Sequence, residues 1–488
     1  MIRWKLILVC LFVAGGRYAS WAQDPMRAAY EQFREQAMAD YENFRDKANK
    51  EYAEFIKQAW RDFHAMPAIP KPIEKDIPPV IFKEDNKISI EDKPLPIDED
   101  IVRLPKLEPQ PVPVAPIKEQ PVEQEEYINF CVYGTDMKIR FSDNQRFRLA
   151  DCSGQSLSEA WQRMSGKAYN NTIRDCLELR IACQLSDWAY LKMLDSLSIA
   201  CFGKSNEAVL LMAYLYCQSG YRMRLGTVNE KLYLLYGSQH IVFNKAYYTI
   251  NSDYYYIYDN EVFSLRICDI AYPQEKSLSF YIHQKQQFDY SPSSTRHLKS
   301  KRYPNMVITS QVNKNLIAFC NEYPSSSIRD NFMTRWAMLA NTPMEKRVEE
   351  KLYPQLQKAI AGLGKKEAVE RLLNWVQTSL VYGYDEKVWG GDRAFFAEES
   401  LYYPYADCED RSILFSRLVR DLVGLKVVLV FYPGHLSTAV DFTEQVKGDF
   451  IMLDGRKYVV CDPTYINANV GMTMPGMDNQ TAKIILLD

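Results

Sequence analysis

The sequence predicts an α+β protein whose C-terminal domain packs a cysteine-bearing helix on an antiparallel sheet. Apolar residues recur at helical spacing after Cys408 and stop at Gly424. A strongly β-forming run then occupies residues 426 to 432, and a second hairpin turns at Asp454-Gly455. One helix followed by strands that pair with their sequence neighbours is typical of the α+β class.

Composition narrows the classes of function. The chain has 488 residues, of which 47% are hydrophobic and 25% charged, so it is long enough for two or three domains and too apolar for a disordered protein. Its 59 Lys and Arg against 62 Asp and Glu give a net charge of −3, which does not favour a nucleic-acid partner. The five histidines are scattered and the cysteines lack zinc-ligand spacing. We therefore predict no nucleic acid, no metal and no cofactor.

The first 22 residues have the pattern of a secretory signal peptide. Arg3 and Lys5 precede an apolar run over residues 6 to 14, and Ser20 and Ala22 supply the small residues of a cleavage site. An uncleaved anchor is the alternative, but a bilayer span needs about 20 apolar residues. We expect an exported protein, in the periplasm, in the cell envelope or outside the cell.

An oxidising compartment would allow disulfides among the cysteines that remain after Cys10. Their spacing is irregular and contains no C-x-x-C pair, so no disulfide framework is predicted.

Residues 23 to 65 carry a repeat of eleven residues. Apolar residues at i, i+3 and i+7 form one face of a helix, and eleven residues fit about three turns. The pattern predicts one continuous helix, whose apolar face is buried against copies of itself, another protein, a membrane surface or the protein's own domains. The repeated residues are Tyr30, Phe33, Ala37, Tyr41, Phe44, Ala48, Tyr52, Phe55, Ala59 and Phe63.

Residues 66 to 124 contain 13 of the 24 prolines, all between Pro67 and Pro121. Proline at this density removes backbone donors and favours an extended, partly polyproline II chain. We predict a spacer, whose Ile and Val residues leave open that it lies along a domain surface.

Residues 125 to 300 form a predicted α+β domain. A helix that ends at Gly220 and is followed by strands repeats the plan of the C-terminal domain, which suggests a degenerate copy. The corresponding helix start has no thiol and Glu230-Lys231 has no histidine, so such a copy would bind a substrate chain without catalysis. A chance likeness explains the pattern equally well, and His240 is interpreted as structural. Helices are predicted at 175 to 184, 187 to 202 and 207 to 219, and strands at 231 to 236, 240 to 243 and 254 to 258.

Residues 301 to 488 carry three residues with the chemistry of a thiol-dependent enzyme. Cys408 lies at a predicted helix start, where unpaired amides and the helix dipole favour a thiolate. His435 opens a strand directly after Gly434, and Asp462 follows the strand that ends at Cys461. A nucleophile, its base and a group that orients the base have these residue types. Further helices are predicted at 314 to 322, 328 to 339, 345 to 360 and 366 to 380.

This order resembles the transglutaminase-like superfamily, whose core is similar to that of papain-type cysteine proteases. The resemblance covers roughly residues 367 to 465 and is carried by the D-C-E-D stretch at 407 to 410, by His435 and by Asp462-Pro463-Thr464. Many members have an aromatic residue soon after the histidine, where this chain has Leu436 and Ser437.

The resemblance implies that Cys408 attacks an amide carbonyl, that His435 transfers the proton and that Asp462 fixes the imidazole tautomer. The Cys408 N–H would be one oxyanion donor. The indole of Trp389 is a candidate for the second donor, although a packing role is favoured.

Each of these residues also has a structural interpretation. Cys408 can be an inert buried thiol, Asp462 can cap a turn, and the carboxylates of Asp407, Glu409 and Asp410 can serve the helix start while opposing a thiolate. Taken together, the three residues favour a Cys-His-Asp triad.

We predict an exported cysteine-dependent acyl-transfer enzyme that acts on protein or peptide amides. Hydrolysis is favoured over transamidation because transfer needs a second pocket for the amine. Such a pocket would draw on the acidic residues beside Cys408 and on the aromatic residues Tyr402, Tyr403, Tyr405, Phe431 and Tyr432. The alternative is a non-enzymatic envelope scaffold or binding protein with a vestigial domain.

Overall fold

The computed structural model describes residues 23–73, 77–83, 90–97, 101–259 and 261–488, so the predicted signal peptide lies outside the described residues. The helices are α1 (Gln23–Gln58), α2 (Gly154–Met164), α3 (Asn170–Ala182), α4 (Asp187–Phe202), α5 (Asn206–Gln218), α6 (Lys314–Asn321), α7 (Thr334–Asn341), α8 (Lys346–Ile360), α9 (Lys365–Ser379), α10 (Asp385–Val388), α11 (Ala397–Tyr402) and α12 (Cys408–Leu418). The strands are β1 (Trp60–His64), β2 (Lys93–Pro94), β3 (Ile101–Val102), β4 (Tyr127–Val132), β5 (Thr135–Arg140), β6 (Met223–Val228), β7 (Lys231–Ser238), β8 (His240–Val242), β9 (Tyr248–Ile250), β10 (Asp253–Ile257), β11 (Ser264–Cys268), β12 (Arg296–Lys299), β13 (Val307–Ser310), β14 (Ser326–Ile328), β15 (Lys426–Tyr432), β16 (His435–Asp441), β17 (Asp449–Leu453), β18 (Arg456–Cys461) and β19 (Lys483–Leu486).

Two large sheets organise the protein. The first has the order β1-β11-β6-β7-β10-β9, and the second has the order β2-β17-β18-β16-β15-β19-β3. Helices and strands are mixed along the chain, so the predicted α+β class is confirmed. In the second sheet α12 packs on β15 and β16, as predicted for the helix that bears Cys408.

The two sheets share one strand order. β11, β6, β7, β10 and β9 lie side by side in the first, and β19, β15, β16, β18 and β17 lie in the same sequence in the second, with every neighbouring pair antiparallel. A buried helix, α5 or α12, directly precedes each first hairpin and packs on it. The arrangement suggested by the sequence is therefore present twice.

The predicted N-terminal helix is present as α1, but it ends at Gln58 and β1 follows. Continuation of the helix to residue 65 was wrong, because β1 pairs along its whole length with β11 and these backbone hydrogen bonds replace further helical turns. The C-terminal third of α1 packs into the first core through Tyr52 and Ile56. Tyr30 and Tyr41 remain 64% and 50% exposed, so the apolar face is only partly covered by the protein's own domains.

The proline-rich segment lies along both domains where it is described. β2 and β3, both drawn from it, pair in parallel with β17 and β19 at opposite edges of the second sheet. Pro111 O accepts a hydrogen bond from the buried Arg180 guanidinium at 3.0 Å. The segment is thus part of the folded surface and not a free spacer.

Most predicted elements after residue 125 are present with shifts of a few residues. A helix at 328 to 339 was partly wrong, because β14 occupies residues up to Ile328 and pairs with β8. Arg329 then has a φ of +54°, outside the helical region, and α7 begins only at Thr334. No helix in the described part of the chain is long and apolar enough to cross a bilayer.

Candidate active site

The start of α12 fixes the position of Cys408. Asp407 is the N-cap, and its side chain accepts a hydrogen bond from Asp410 N at 3.2 Å, while Asp410 Oδ2 accepts one from Asp407 N at 3.2 Å. This reciprocal capping box satisfies two first-turn amides. Cys408 is therefore the first helical residue, and Gly424, with a φ of +68°, ends the wider helical turn that follows α12.

His435 and Asp462 are in direct contact. Gly434, with a φ of +80°, closes the turn that makes His435 the first residue of β16. Nε2 of His435 lies 2.9 Å from Oδ2 of Asp462, and both side chains are buried. Nδ1 of His435 is also buried and has no hydrogen-bond partner. If Nε2 carries the proton donated to Asp462, Nδ1 is the basic nitrogen.

The loop after β18 holds Asp462 in place. Its Oδ1 accepts hydrogen bonds from Thr464 N at 2.8 Å and Tyr465 N at 3.2 Å. Gln377, from α9, donates to the backbone carbonyls of Asp462 and Tyr465 at 3.0 and 2.8 Å. Burial disfavours the Asp462 carboxylate, but attraction to His435 and these hydrogen bonds outweigh it, so the pKa of Asp462 is lowered.

Cys408 lies near the end of β16 that carries His435. Ser412, one turn along α12, donates to Leu436 O at 2.8 Å, and Leu436 directly follows His435. The Cys408 thiol donates to Glu409 Oε2 at 3.3 Å. Because Nδ1 of His435 has no partner, sulfur and imidazole are not hydrogen-bonded to each other in this arrangement. Such bonds are often absent before substrate binds.

The environment of Cys408 opposes a thiolate. Burial, followed by the charges of Glu409 and Asp407, raises the pKa of the thiol well above its usual range, and only the backbone amide of Leu436 acts in the other direction. The thiolate expected at the helix start is therefore disfavoured, because desolvation and the two adjacent acidic groups oppose it.

A cluster of buried or partly buried carboxylates surrounds the start of α12. Asp385, Asp392 and Glu409 bring oxygens within 4.8 Å of one another, and Asp385, Asp407 and Asp410 do the same. Hard cations prefer such oxygen sets, so these residues are the ones able to hold a cation here. The sequence pattern did not predict this grouping.

The carboxylates of this cluster differ in their cationic partners and in the direction of their pKa shifts. Arg335 binds Asp392 through two nitrogens at 2.7 and 3.1 Å, and Lys71 Nζ lies 2.9 Å from the same carboxylate. These cations overcome the effect of burial and lower the pKa of Asp392. Burial and the charge of Asp392 raise the pKa of Glu409 to about 8. Burial and neighbouring acids also raise the pKa of Asp410 well above its usual range.

The aromatic residues near the site have separate roles. The Trp389 ring packs edge-on against Phe395 and Tyr403, with centroids 5.6 and 4.7 Å apart, which is the packing role favoured from the sequence. Tyr432 stacks near the His435 ring at 6.4 Å. Phe431, with the opposite strand orientation, belongs to the core of the second sheet, and Tyr402 and Tyr403 pack against the same core, whereas Tyr405 is exposed. The five aromatic residues proposed for a tunnel therefore differ in environment.

In the first sheet a different residue stands at the position that corresponds to Cys408. Asn206 is the first residue of α5, as Cys408 is of α12. Its Oδ1 accepts a hydrogen bond from Leu232 N at 2.9 Å, and its amide donates to Glu230 O at 2.9 Å. The Asn206 side chain, which is hydrogen-bonded to the backbone of Glu230 and Leu232, therefore stands at the position that Cys408 has in the second sheet.

The other two positions follow from the strand register. Lys231 begins β7 after a two-residue turn, as His435 begins β16. The pairings of β10 with β7 and of β18 with β16 can each be continued past the end of the strand. Asp259 then occupies in the first sheet the position that Asp462 occupies in the second. At these corresponding positions the first sheet thus has an aspartate but no thiol and no imidazole, in agreement with the absences read from the sequence.

All ten cysteines in the described part of the chain, from Cys131 to Cys461, are free thiols. Among them, Cys408 is the one that combines a helix start with a neighbouring His-Asp pair. We find no match to this chain among family models, curated proteins or solved structures.

Several residues of the site were not predicted. Gln377, Arg335, Asp385 and Asp392 come from segments well before the D-C-E-D stretch and reach it only through the fold. Lys71 comes from the proline-rich segment, which is predicted from the sequence to be a spacer. An isolated Asp or Lys carries no local signal of such contacts.

Proposed function

We propose that the protein is an exported cysteine-dependent acyl-transfer enzyme that acts on protein or peptide amides through Cys408, His435 and Asp462. One observation carries the proposal. His435 Nε2 contacts Asp462 at 2.9 Å, and His435 Nδ1 is buried without a hydrogen-bond partner. The next residue of the strand, Leu436, has its backbone beside Cys408. A base oriented by a carboxylate, next to a thiol at a helix start, is the arrangement that activates a sulfur nucleophile. Export rests on the N-terminal sequence alone.

The proposed reaction begins with proton transfer from Cys408 to Nδ1 of His435. The sulfur attacks the amide carbonyl carbon, the C–N bond breaks, and the leaving amine takes the proton from the imidazolium. Asp462 stabilises the imidazolium, and the first-turn amide of Cys408 faces the developing oxyanion. Water then attacks the thioester and releases the acid; an amine in place of water would give transamidation.

Hydrolysis remains the favoured outcome. The carboxylates proposed to attract an amine are buried, and Asp392 is already paired with Arg335 and Lys71. Among the aromatic residues proposed for a tunnel, Tyr402 and Tyr403 pack against each other and Tyr405 is exposed. Water needs no second pocket, so it requires less of this site.

A non-enzymatic binding or scaffold function is the second candidate. The Cys408 thiol bonds to Glu409 and not to the imidazole, and Cys408, His435 and Asp462 are each no more than 2% exposed. The exposed aromatic face of α1 would then be the functional surface.

The reactivity of the thiol separates these functions. The full chain is treated with iodoacetamide at pH 6 and the modified cysteines are mapped, with Cys131 as the exposed reference thiol. Selective alkylation of Cys408 that is lost in His435→Ala supports the enzyme. Alkylation of Cys408 that is unaffected by His435→Ala, together with no Cys408-dependent hydrolysis or transfer of an amide, supports the scaffold.

A second assay separates hydrolysis from transfer. A glutamine-bearing protein is supplied with a dansylated alkyl amine, and both new termini or deamidation and dye incorporation are followed. Cys408-dependent deamidation or cleavage without dye supports hydrolysis. Dye incorporation alone would reverse that preference and leave the triad intact.

A further inference from the structure

The proline-rich segment contacts residues on three sides of the candidate site. We call residues 67–73 and 77–83 the strap. Ile77 N donates to Gly434 O at 2.9 Å, and Gly434 directly precedes His435. On the other side, Lys71 Nζ lies 2.9 Å from Asp392, which belongs to the carboxylate cluster that includes Glu409. The two contacts lie on the histidine side and on the cysteine side of the triad.

The strap also binds the loop that holds Asp462. Val80 O accepts from Ile466 N at 2.9 Å, and Phe82 N donates to Ile466 O at 2.8 Å, in the manner of an added parallel strand. Ile466 directly follows Tyr465, whose N–H bonds to the Asp462 carboxylate. An extended peptide that adds to an exposed backbone edge is a recurrent mode of recognition.

An apolar surface receives the strap side chains. Ile77, Val80 and Phe82 pack against a small cluster built on Tyr465, Ala468 and Met474. The rings of Phe82 and Tyr465 meet edge to face with centroids 6.0 Å apart. Pro78 and Pro79 keep the strap extended between its anchoring residues and donate no backbone hydrogen bond.

From these contacts we propose that the strap occupies the substrate cleft of the candidate enzyme, and that an extended peptide with apolar side chains must displace it to reach Cys408. The inference rests on the proposed function and names its substrate class and its regulation. The cleft offers such a peptide the Gly434 carbonyl, both backbone groups of Ile466 and the apolar surface around Tyr465. The strap holds the enzyme latent because substrate competes with a ligand of high effective concentration in the same chain.

Release of the strap tests the proposal. The double variant Lys71→Met with Phe82→Ala removes the ion pair and the ring contact, and Lys106→Met with Val112→Ala is the matched control at exposed positions of the same segment. The readout is the rate of alkylation of Cys408 by iodoacetamide in the full chain, relative to Cys131. We expect at least a tenfold faster rate in the release variant and no change in the control.

A peptide supplied in trans tests the cleft itself. The heptapeptide with the sequence of residues 77 to 83, Ile-Pro-Pro-Val-Ile-Phe-Lys, should slow alkylation of Cys408 in the release variant. The same peptide with alanine in place of the phenylalanine should protect less. If the release variant loses its near-ultraviolet circular dichroism, Ile77→Pro is used instead, because it removes the N–H that binds Gly434 and the Ile77 side chain but keeps Lys71 and Phe82.

The outcomes separate the strap from the proposed function. Equal alkylation rates in the folded release variant and the original chain, or no protection by the peptide, would overturn the strap proposal even if His435-dependent activity is found. Faster alkylation in the release variant, retained when His435→Ala is added and without amide hydrolysis, would support the strap while the proposed function fails.

Discussion

Asp462 Oδ2 lies 2.9 Å from His435 Nε2, while Oδ1 of the same carboxylate accepts two backbone hydrogen bonds from its own loop. One oxygen therefore orients the imidazole and the other anchors the carboxylate. This division separates the effect of Asp462 on the base from its effect on the fold.

Asp462→Asn is expected to leave the protein folded and to abolish most of its activity. The amide oxygen can keep the bonds from Thr464 and Tyr465, but the amide nitrogen cannot accept a proton from Nε2. The imidazole then favours the tautomer with the proton on Nδ1, which removes the base, and a loss of about 10⁴-fold in turnover is known for such a change. Steady-state kinetics and circular dichroism measure the two effects. An unfolded variant would show that Asp462 is structural.

Sequence predicted the elements whose signals are local. α4 and β15 occupy the ranges 187 to 202 and 426 to 432 that were predicted, and the hairpin turns at Asp454-Gly455. Helical spacing, β-branched runs and turn residues determine these segments without distant partners. β1 was missed because its partner β11 lies about 200 residues away and no local pattern marks the pairing.

The positions of Cys408, His435 and Asp462 were predictable for the same reason, because each of them stands at the end of a recognisable element. The acidic cluster was only half visible: the D-C-E-D stretch shows Asp407 to Asp410, whereas Asp385 and Asp392 join it through tertiary structure. The raised pKa of the Cys408 thiol depends on burial, which sequence does not give.

Tyr41 and Tyr52 occupy equivalent positions of the eleven-residue repeat but differ in environment. Tyr41 is 50% exposed, and Tyr52 is 1% exposed, with its ring 5.0 Å from Trp161. We expect Tyr52→Ala to lower the free energy of unfolding by about 3–5 kcal/mol, as for other large buried rings, and Tyr41→Ala to change it by less than about 0.5 kcal/mol. Denaturant unfolding measures both. Since the Tyr52 hydroxyl has no partner, Tyr52→Phe is the control and should be nearly neutral; equal losses for the two alanine variants would contradict the assignment.

The exposed part of α1 is expected to mediate association. Tyr30, Tyr41 and Phe44 leave apolar area in water, whereas Arg45 is buried and bonds to Gln218 at 2.9 Å. A chain that begins at Arg45 therefore keeps the packed part of the helix. Sedimentation should show fewer chains per particle for this chain than for one that begins at residue 23, or this chain should no longer bind to envelope fractions. Identical monomeric behaviour and no envelope binding by either chain would refute the prediction.

Glu398 makes stability depend on pH. It is 4% exposed, accepts a hydrogen bond from Glu345 N at 2.6 Å, and burial raises its pKa to about 7. The folded state therefore holds a proton that the unfolded state has lost, so this contribution is complete below about pH 4.5 and disappears as the pH rises to about 7. Glu398→Gln keeps the acceptor and should reduce the fall in stability between pH 4.5 and 8 by up to about 3 kcal/mol, at about 1.4 kcal/mol per pKa unit.

Thermal unfolding of both proteins at pH 4.5, 6 and 8 measures that difference. Glu386→Gln, at an exposed position of α10, is the control and should leave the pH dependence unchanged. The same fall in melting temperature in the Glu398→Gln variant and the original chain would show that Glu398 does not carry the effect.

Glu409 is expected to control the reactivity of Cys408. Its Oε2 accepts a hydrogen bond from the Cys408 thiol at 3.3 Å, and its negative charge raises the pKa of the thiol. The amide of Glu409→Gln can accept the same hydrogen bond without a charge. Because the pKa of Glu409 is about 8, the carboxylate is ionised at pH 9 and mostly protonated at pH 6. Cys408 in the variant should thus be alkylated at least about tenfold faster than in the original chain at pH 9, which corresponds to one pKa unit, and at a similar rate at pH 6.

Iodoacetamide alkylation of Cys408 across pH 6 to 9 measures both rates, with Glu386→Gln as the control for loss of one carboxylate. A uniform acceleration at all pH values would indicate that the substitution opens the site sterically, and no acceleration at pH 9 would show that the Glu409 charge does not restrain the thiol.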